Sequence, residues 1–268
     1  MGSEPDTHFR TYGTKPFQVV LLHGGPGAPG TMGPVAKELS SQWDVLEPFQ
    51  NADSIEGLIS ELKALLLEKG DLPIYLMGHS WGAMLGYIFA ARHPNMVKKL
   101  IIVGSGVFEE KYSSTIMKTR LSRLNQEERT RIKMLMAQMN DPNVQEKDEI
   151  LREFGEMFTK ADAHDPLTLD IGLKECHHDQ HVKVWAEAKA LRLSGDLLKM
   201  GRKISCPVVA IHGSHDPHPM EGIRDPLDRV VGNFKFIELD RCGHAPWIEK
   251  HARDAFFRIL ERELSDQA

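Results

Sequence analysis

Six short apolar runs recur along the chain, and helical patterns lie between them. The runs are 16–24, 43–49, 72–78, 97–104, 207–213 and 233–240. Each run is apolar at successive positions, which is typical of strands that are buried on both faces. Between runs, apolar residues recur at helical spacing, as at Ile55, Leu58, Ile59 and Leu62. Strands that alternate with helices predict an α/β protein with a mostly parallel central sheet and helices on both faces.

The alternation stops between about residues 107 and 203, where the sequence contains no convincing strand. Helical stretches are expected near 114–139, 143–159, 166–178 and 180–200. We interpret the segment as a helical lid inserted between two strands of the sheet. The expected organisation is therefore a core of residues 1–106 and 201–268 with a helical cap at 107–200. The core should hold six or seven strands, with room for one short strand at most before Phe17.

The longest stretch without a charged residue, 72–91, has the length of a membrane-spanning helix, which is about 20 residues. Its middle contains Gly78, His79, Ser80 and Gly82, which are poorly suited to lipid, and no basic cluster flanks it. We interpret it as a buried strand followed by a helix that Pro94 ends. No membrane association is expected.

Net charge, the N-terminal sequence and cysteine content indicate which partners and which cellular location to expect. The net charge of -5 argues against a nucleic-acid partner, because such affinity comes from clustered Lys and Arg. The first residues, MGSEPDTHFR, lack the apolar core of a secretory signal. Cys176, Cys206 and Cys242 form a sparse and odd set, which indicates reduced thiols and a cytoplasmic location.

The sequence Gly78-His79-Ser80-Trp81-Gly82 fits the pattern G-x-S-x-G at a strand-to-helix junction. A sharp turn there exposes the serine hydroxyl at the top of the sheet, and glycines on either side let neighbouring backbone pass closely. The helix N-terminus behind the serine favours developing negative charge. Ser80 is therefore the candidate nucleophile.

A serine nucleophile needs a base and an acid. His244 follows the last predicted strand, and Asp216 follows the strand 207–213. Loops after parallel strands leave the same edge of the sheet, so these groups and Ser80 should converge. Glu109 or Glu110, after the strand 97–104, could replace Asp216 as the acid, but the loop context favours Asp216.

A glycine-rich loop, His23-Gly24-Gly25-Pro26-Gly27, directly follows the first predicted strand. Acyl transfer needs backbone N–H donors aimed at the forming oxyanion. The N–H of Trp81 is one candidate donor, and the N–H of Gly25 or Gly24 is the other. A phosphate-binding loop is disfavoured because no Lys-Ser/Thr pair follows the glycines.

With these motifs the chain resembles the α/β-hydrolase superfamily over nearly its whole length. The HGGPG loop and the Trp after the serine are most similar to the proline iminopeptidase branch. The resemblance implies a triad of Ser80, Asp216 and His244, an oxyanion hole from Gly25 and Trp81, and a helical cap. The segment 47–54 lacks the Asp-x-Arg-Gly pattern usual in that branch.

Iminopeptidases bind the substrate amine with cap glutamates, and Glu187 is the candidate here. His23 and Gly24 are further candidate substrate-binding residues.

Two groups of residues have the sequence spacing of metal ligands. They are Cys176, His177, His178 and His181, and His212, His215 and His218. The first group lies in the expected cap and the second overlaps the Asp216 loop, so we expect no metal. Cys242 is interpreted as a packing residue.

The expected function is a serine hydrolase that cleaves an ester or amide bond of a small molecule or short peptide through an acyl-enzyme intermediate. No cofactor is needed for that chemistry. Two alternatives stay open, a proline iminopeptidase-type aminopeptidase and a non-catalytic ligand-binding protein on a hydrolase scaffold.

Overall fold

The structure is a computed structural model that describes residues 8–266. Its strands are β1 (Phe9–Tyr12), β2 (Phe17–Leu22), β3 (Val45–Pro48), β4 (Gly70–His79), β5 (Val97–Val103), β6 (Val208–Gly213) and β7 (Phe234–Leu239). Its α-helices are α1 (Gly33–Leu39), α2 (Ile55–Lys69), α3 (Trp81–Arg92), α4 (Ile116–Ser122), α5 (Gln126–Asn140), α6 (Lys147–Asp162), α7 (His178–Leu193), α8 (Asp196–Lys199), α9 (Glu221–Asp228) and α10 (Arg253–Ser265).

The strands form one seven-stranded sheet in the order β1-β3-β2-β4-β5-β6-β7. β1 pairs antiparallel with β3, and every other neighbouring pair is parallel. The prediction of an α/β protein with a mostly parallel sheet is confirmed. All six predicted strands form, and β1 occupies the space for one short strand before Phe17.

Helices cover both faces of this sheet. On one face α2 and α3 pack in a large apolar cluster that includes Leu58, Leu62 and Leu85. On the other face α1 and α10 pack in a second cluster that includes Val35 and Phe256. Because both faces are covered, the strands can be apolar at successive positions, as their sequences are.

The uncharged stretch 72–91 is divided between β4 and α3. Every residue of α3 from Trp81 to Ala91 is buried, which explains why this part of the helix carries no charge on any face before Arg92 ends it. In the described part of the chain, no helix combines the length and apolar character needed to cross a membrane.

Residues 107–200 supply α4 to α8 and contribute no strand to the sheet. The expected helix over 114–139 is divided, because Asn125 begins α5 with a reciprocal hydrogen-bonded cap to Glu128. The expected helix over 180–200 is interrupted at Gly195, whose φ is +73°.

The expected helix near 166–178 is wrong, since residues 163–177 form no helix. Their backbone groups bond to core loops instead. The N–H of Leu167 donates to Ile248 at 2.7 Å, and the N–H of Lys174 donates to Pro29 at 3.0 Å. When other loops of the same chain accept hydrogen bonds from the backbone N–H groups of a segment, that segment does not need helical hydrogen bonds.

Candidate active site

Ser80 lies between β4 and α3, with φ 54° and ψ -114°. A positive φ is rare for a residue with a side chain, and here it turns the chain sharply from strand to helix. The N–H of Ser80 donates to the carbonyl of Val103 on β5 at 2.9 Å. The turn is therefore anchored to the neighbouring strand.

Two glycines allow backbone segments to lie in close contact at this turn. A Cβ atom at position 78 would lie 2.1 Å from the carbonyl oxygen of Gly82. A Cβ atom at position 82 would lie 2.2 Å from the carbonyl oxygen of Leu22 on β2. Both distances are far below van der Waals contact, so the glycines of the motif are required by close backbone approach.

The structure brings Asp216 and His244 together. Nδ1 of His244 lies 2.7 Å from Oδ2 of Asp216, and the side chain of Asp216 is fully buried. The two residues are held on loops after β6 and β7, as the parallel order of these strands predicts. Glu109 and Glu110 are engaged elsewhere, in ion pairs with Arg229 and Arg192.

The charge states of this pair follow from its surroundings. Burial alone would raise the pKa of Asp216, but the imidazoles of His244, His212 and His218 hold it well below its usual value. Burial lowers the pKa of His244, but the charge and hydrogen bond of Asp216 outweigh burial and raise it. Asp216 is therefore ionised at neutral pH and stabilises the protonated form of His244.

His79, the residue before Ser80, links the sharp turn at Ser80 to His244. Its Nε2 lies 3.0 Å from the carbonyl oxygen of His244, and the two ring centroids are 4.7 Å apart. Burial lowers the pKa of His79 to about 3, so the ring is neutral and Nε2–H donates to that carbonyl. Among residues 8–266, Ser80 Oγ makes no hydrogen bond with His244, a contact that is often long in ligand-free enzymes.

The glycine-rich loop lies against Ser80. A Cβ atom at position 24 would lie 3.3 Å from the Cβ of Ser80, and Gly25 has a left-handed φ of 47°. Trp81 is the first residue of α3, so its N–H has no acceptor within the helix. The candidate donors Gly24, Gly25 and Trp81 therefore belong to segments that border Ser80.

The structure places His23 inside the protein, where Nε2 lies 2.8 Å from the carbonyl oxygen of Phe49 and Nδ1 lies 2.9 Å from that of Gly24. Burial lowers the pKa of His23. Glu187 accepts a hydrogen bond from the N–H of Ile55 at 2.8 Å, at the N-terminus of α2. That position suits a carboxylate because the helix dipole is positive there.

Sequence reasoning did not find the residue that joins these loops. Oε1 of Gln50 accepts a hydrogen bond from the indole N–H of Trp81 at 2.9 Å, and its Nε2 donates to the carbonyl of His23 at 3.2 Å. Gln180 on α7 donates to the carbonyls of Gln50 and Ala52. The segment 107–200 is thereby bonded to the loops beside Ser80.

Several of the candidate metal ligands make other contacts in the structure. Cys176 is buried, and His181 faces the carbonyl of Pro26. Asp216, His218 and His244 offer ligand atoms within 4.8 Å of one another. However, Nδ1 of each of these two histidines is already bonded to the carboxylate of Asp216.

Comparison with known proteins supports a hydrolase. A family model described as the alpha/beta hydrolase fold matches residues 18–250. A pimeloyl-[acyl-carrier protein] methyl ester esterase of Chromobacterium violaceum is 25% identical, with 93% of this chain and 95% of that protein covered. A 2-hydroxy-6-oxononadienedioate/2-hydroxy-6-oxononatrienedioate hydrolase of Cupriavidus pinatubonensis is 26% identical, with 95% and 90% covered.

The fold is also that of solved hydrolase structures. The crystal structure of proline iminopeptidase from Mycobacterium smegmatis superimposes with a TM-score of 0.65 at 18% identity, covering 96% of this chain and 93% of that one. The superfamily predicted from the motifs is confirmed, while the branch stays a prediction. This chain belongs to the α/β-hydrolase fold family.

Proposed function

We propose that the protein is a serine hydrolase that cleaves an ester or amide bond of a small molecule or short peptide through an acyl-enzyme intermediate. One observation carries the proposal. Ser80 has a strained elbow conformation at the same sheet edge where His244 is bonded to a buried, ionised Asp216. A strained serine at the same sheet edge as an imidazole oriented by a carboxylate is the arrangement that acyl transfer requires.

In this mechanism Oγ of Ser80 attacks the substrate carbonyl carbon while Nε2 of His244 takes the hydroxyl proton. The carbonyl oxygen becomes an oxyanion that the N–H groups of Trp81 and Gly25 stabilise. His244 then gives the proton to the leaving alcohol or amine, and the acyl group stays on Ser80. A water molecule, activated by His244 in the same way, releases the acid and restores the serine.

The surroundings of His244 suit it for both proton transfers. Oδ2 of Asp216 binds Nδ1–H, which leaves the Nε2 lone pair for the serine proton. The charge and hydrogen bond of Asp216 raise the pKa of His244, which favours the protonated form that the proposed tetrahedral intermediate contains.

The segment 107–200 is proposed as a cap that contributes to the substrate pocket. Its segment 172–181 contacts the glycine-rich loop, with the N–H of His177 donating to Gly27 at 2.8 Å. An aminopeptidase would need an acid facing the substrate ammonium group, and the carboxylate of Glu187 is instead bonded to α2. A general ester or amide substrate therefore fits the observed contacts better than an N-terminal amine.

Fluorophosphonate labelling tests the proposal. We expect the wild-type protein to be labelled and Ser80→Ala to be unlabelled. Ser105→Ala is a matched control, because Ser105 is a buried serine just after β5 at the same sheet edge. That variant should be labelled like the wild type.

Turnover of short-chain aryl esters and aminoacyl anilides then separates esterase from peptidase activity. Addition of a chelator should leave turnover unchanged. An unlabelled wild type, or turnover that survives Ser80→Ala but not chelation, would refute the serine mechanism.

A further inference from the structure

The carboxylate of Asp216 accepts hydrogen bonds from two imidazole rings. Nδ1 of His218 lies 2.7 Å from Oδ1, and Nδ1 of His244 lies 2.7 Å from Oδ2. The backbone N–H of His218 also donates to Oδ1, at 2.9 Å. Because the carboxylate is fully buried, each oxygen must find its donors within the protein. Within residues 8–266, His218 supplies both donors that Oδ1 receives.

The local sequence places His218 there. An Asp side chain readily accepts a hydrogen bond from the N–H two residues later, and Asp216-Pro217-His218 makes this turn. The carbonyl of His218 lies 2.8 Å from Nε2 of His212 on β6, which holds the loop against the sheet. The ring of His218 is then tilted against that of His244, with centroids 4.9 Å apart.

The protonation state of His218 follows from this position. Burial lowers its pKa to about 4, although the charge and hydrogen bond of Asp216 act in the opposite direction. The ring is therefore neutral near pH 7, and its proton lies on Nδ1 because an ionised carboxylate only accepts. Other titratable or charged groups around the Asp216–His244 pair are His79, Arg120, Arg123, Asp162 and His212.

We propose that His218 is a positioning residue for the catalytic pair: its Nδ1–H bond fixes the plane of the Asp216 carboxylate so that Oδ2 orients His244 toward Ser80. The inference rests on the proposed serine hydrolase function. A carboxylate that shares its charge with a second donor also attracts the imidazolium of His244 less strongly. His218 thus sets both the geometry and the basicity of His244.

Two substitutions separate the donor from the ring. His218→Phe keeps an aromatic ring and removes the donor, whereas His218→Asn keeps an amide N–H close to the position of Nδ1. We expect His218→Phe to lower kcat about tenfold, the effect of losing one hydrogen bond to a charged group. Its acid limb of kcat/KM should move to higher pH, and His218→Asn should restore both properties toward the wild type.

His215→Phe is the matched control in the same loop, because the ring of His215 packs against His164 and makes no bond to Asp216. It should keep the wild-type pH profile. The inference is overturned if His218→Phe keeps the wild-type kcat and acid limb, or if His218→Asn is as impaired as His218→Phe.

NMR of the ¹⁵N-histidine-labelled protein tests the bond without turnover. We expect two strongly downfield imidazole N–H signals, one of which is lost in His218→Asn while the other persists. A single such signal in the wild type would refute the His218 contact. If the wild type neither reacts with a fluorophosphonate nor cleaves esters, the proposed function fails, and the NMR signals still decide whether His218 binds Asp216.

Discussion

Adding one methyl group at Gly82 should displace the sharp turn at Ser80. A Cβ atom there would lie 2.2 Å from the carbonyl oxygen of Leu22 and 2.6 Å from that of His23. A carbon–oxygen contact normally needs about 3.3 Å, so the start of α3 and the end of β2 must separate by about 1 Å. Both neighbours are backbone atoms, which cannot rotate away.

Two losses follow from this displacement. Overpacking of this kind costs about 1–3 kcal/mol of unfolding free energy. The shift also separates Trp81 from the glycine-rich loop, so the two candidate oxyanion donors move apart. A misplacement of about 1 Å at a reacting centre costs about 10²-fold in rate. We expect Gly82→Ala to lose both stability and kcat.

Gly86→Ala is the matched control, one turn later in α3. A Cβ atom there would lie 3.2 Å from Cδ1 of Leu100, the mobile end of a side chain, and no closer to anything else. Gly86 lies in the interior of α3, where alanine gains about 1 kcal/mol of helix propensity over glycine. Gly86→Ala should therefore keep wild-type kcat and be at least about as stable as the wild type.

Urea unfolding followed by circular dichroism measures the stabilities, and ester hydrolysis measures kcat. Equal stability and equal kcat for Gly82→Ala and Gly86→Ala would show that the close approach of α3 and β2 does not constrain the turn, and the reasoning would be wrong.

Further predictions concern the charges around the site. Asp216→Asn should fold but lower kcat about 10⁴-fold, because the amide no longer holds His244 in the required tautomer; a loss below about tenfold would contradict this role. The acid limb of kcat/KM should lie above pH 6.5, since the raised pKa of His244 leaves the base protonated there; a pH–rate profile with its limb below pH 6 would contradict this. Arg120→Met should destabilise the protein by about 3–5 kcal/mol in urea unfolding, because it leaves the buried Asp162 carboxylate unpaired. The double variant Arg120→Met/Asp162→Leu should recover most of that loss.

The alternation of strands and helices, and hence the fold class, could be predicted from the sequence. Each core strand is buried on both faces by covering helices, so its local composition alone identifies it. The sharp turn at Ser80 could also be predicted, because the G-x-S-x-G pattern lies within five consecutive residues between an apolar run and a helical pattern. The pattern is local in sequence, although Gly82 is required by its contact with Leu22 on β2, which is far away along the chain.

The conformation of residues 163–177 and the partners of Asp216 were decided by tertiary structure. The spacing of His218 suggested a metal group, yet only the folded loop shows its ring on a carboxylate oxygen. Gln50 carries no sequence signal at all, although it joins Trp81, His23 and Gln180. Hydrogen bonds between segments far apart in sequence leave no periodic pattern, so a single chain's sequence cannot display them.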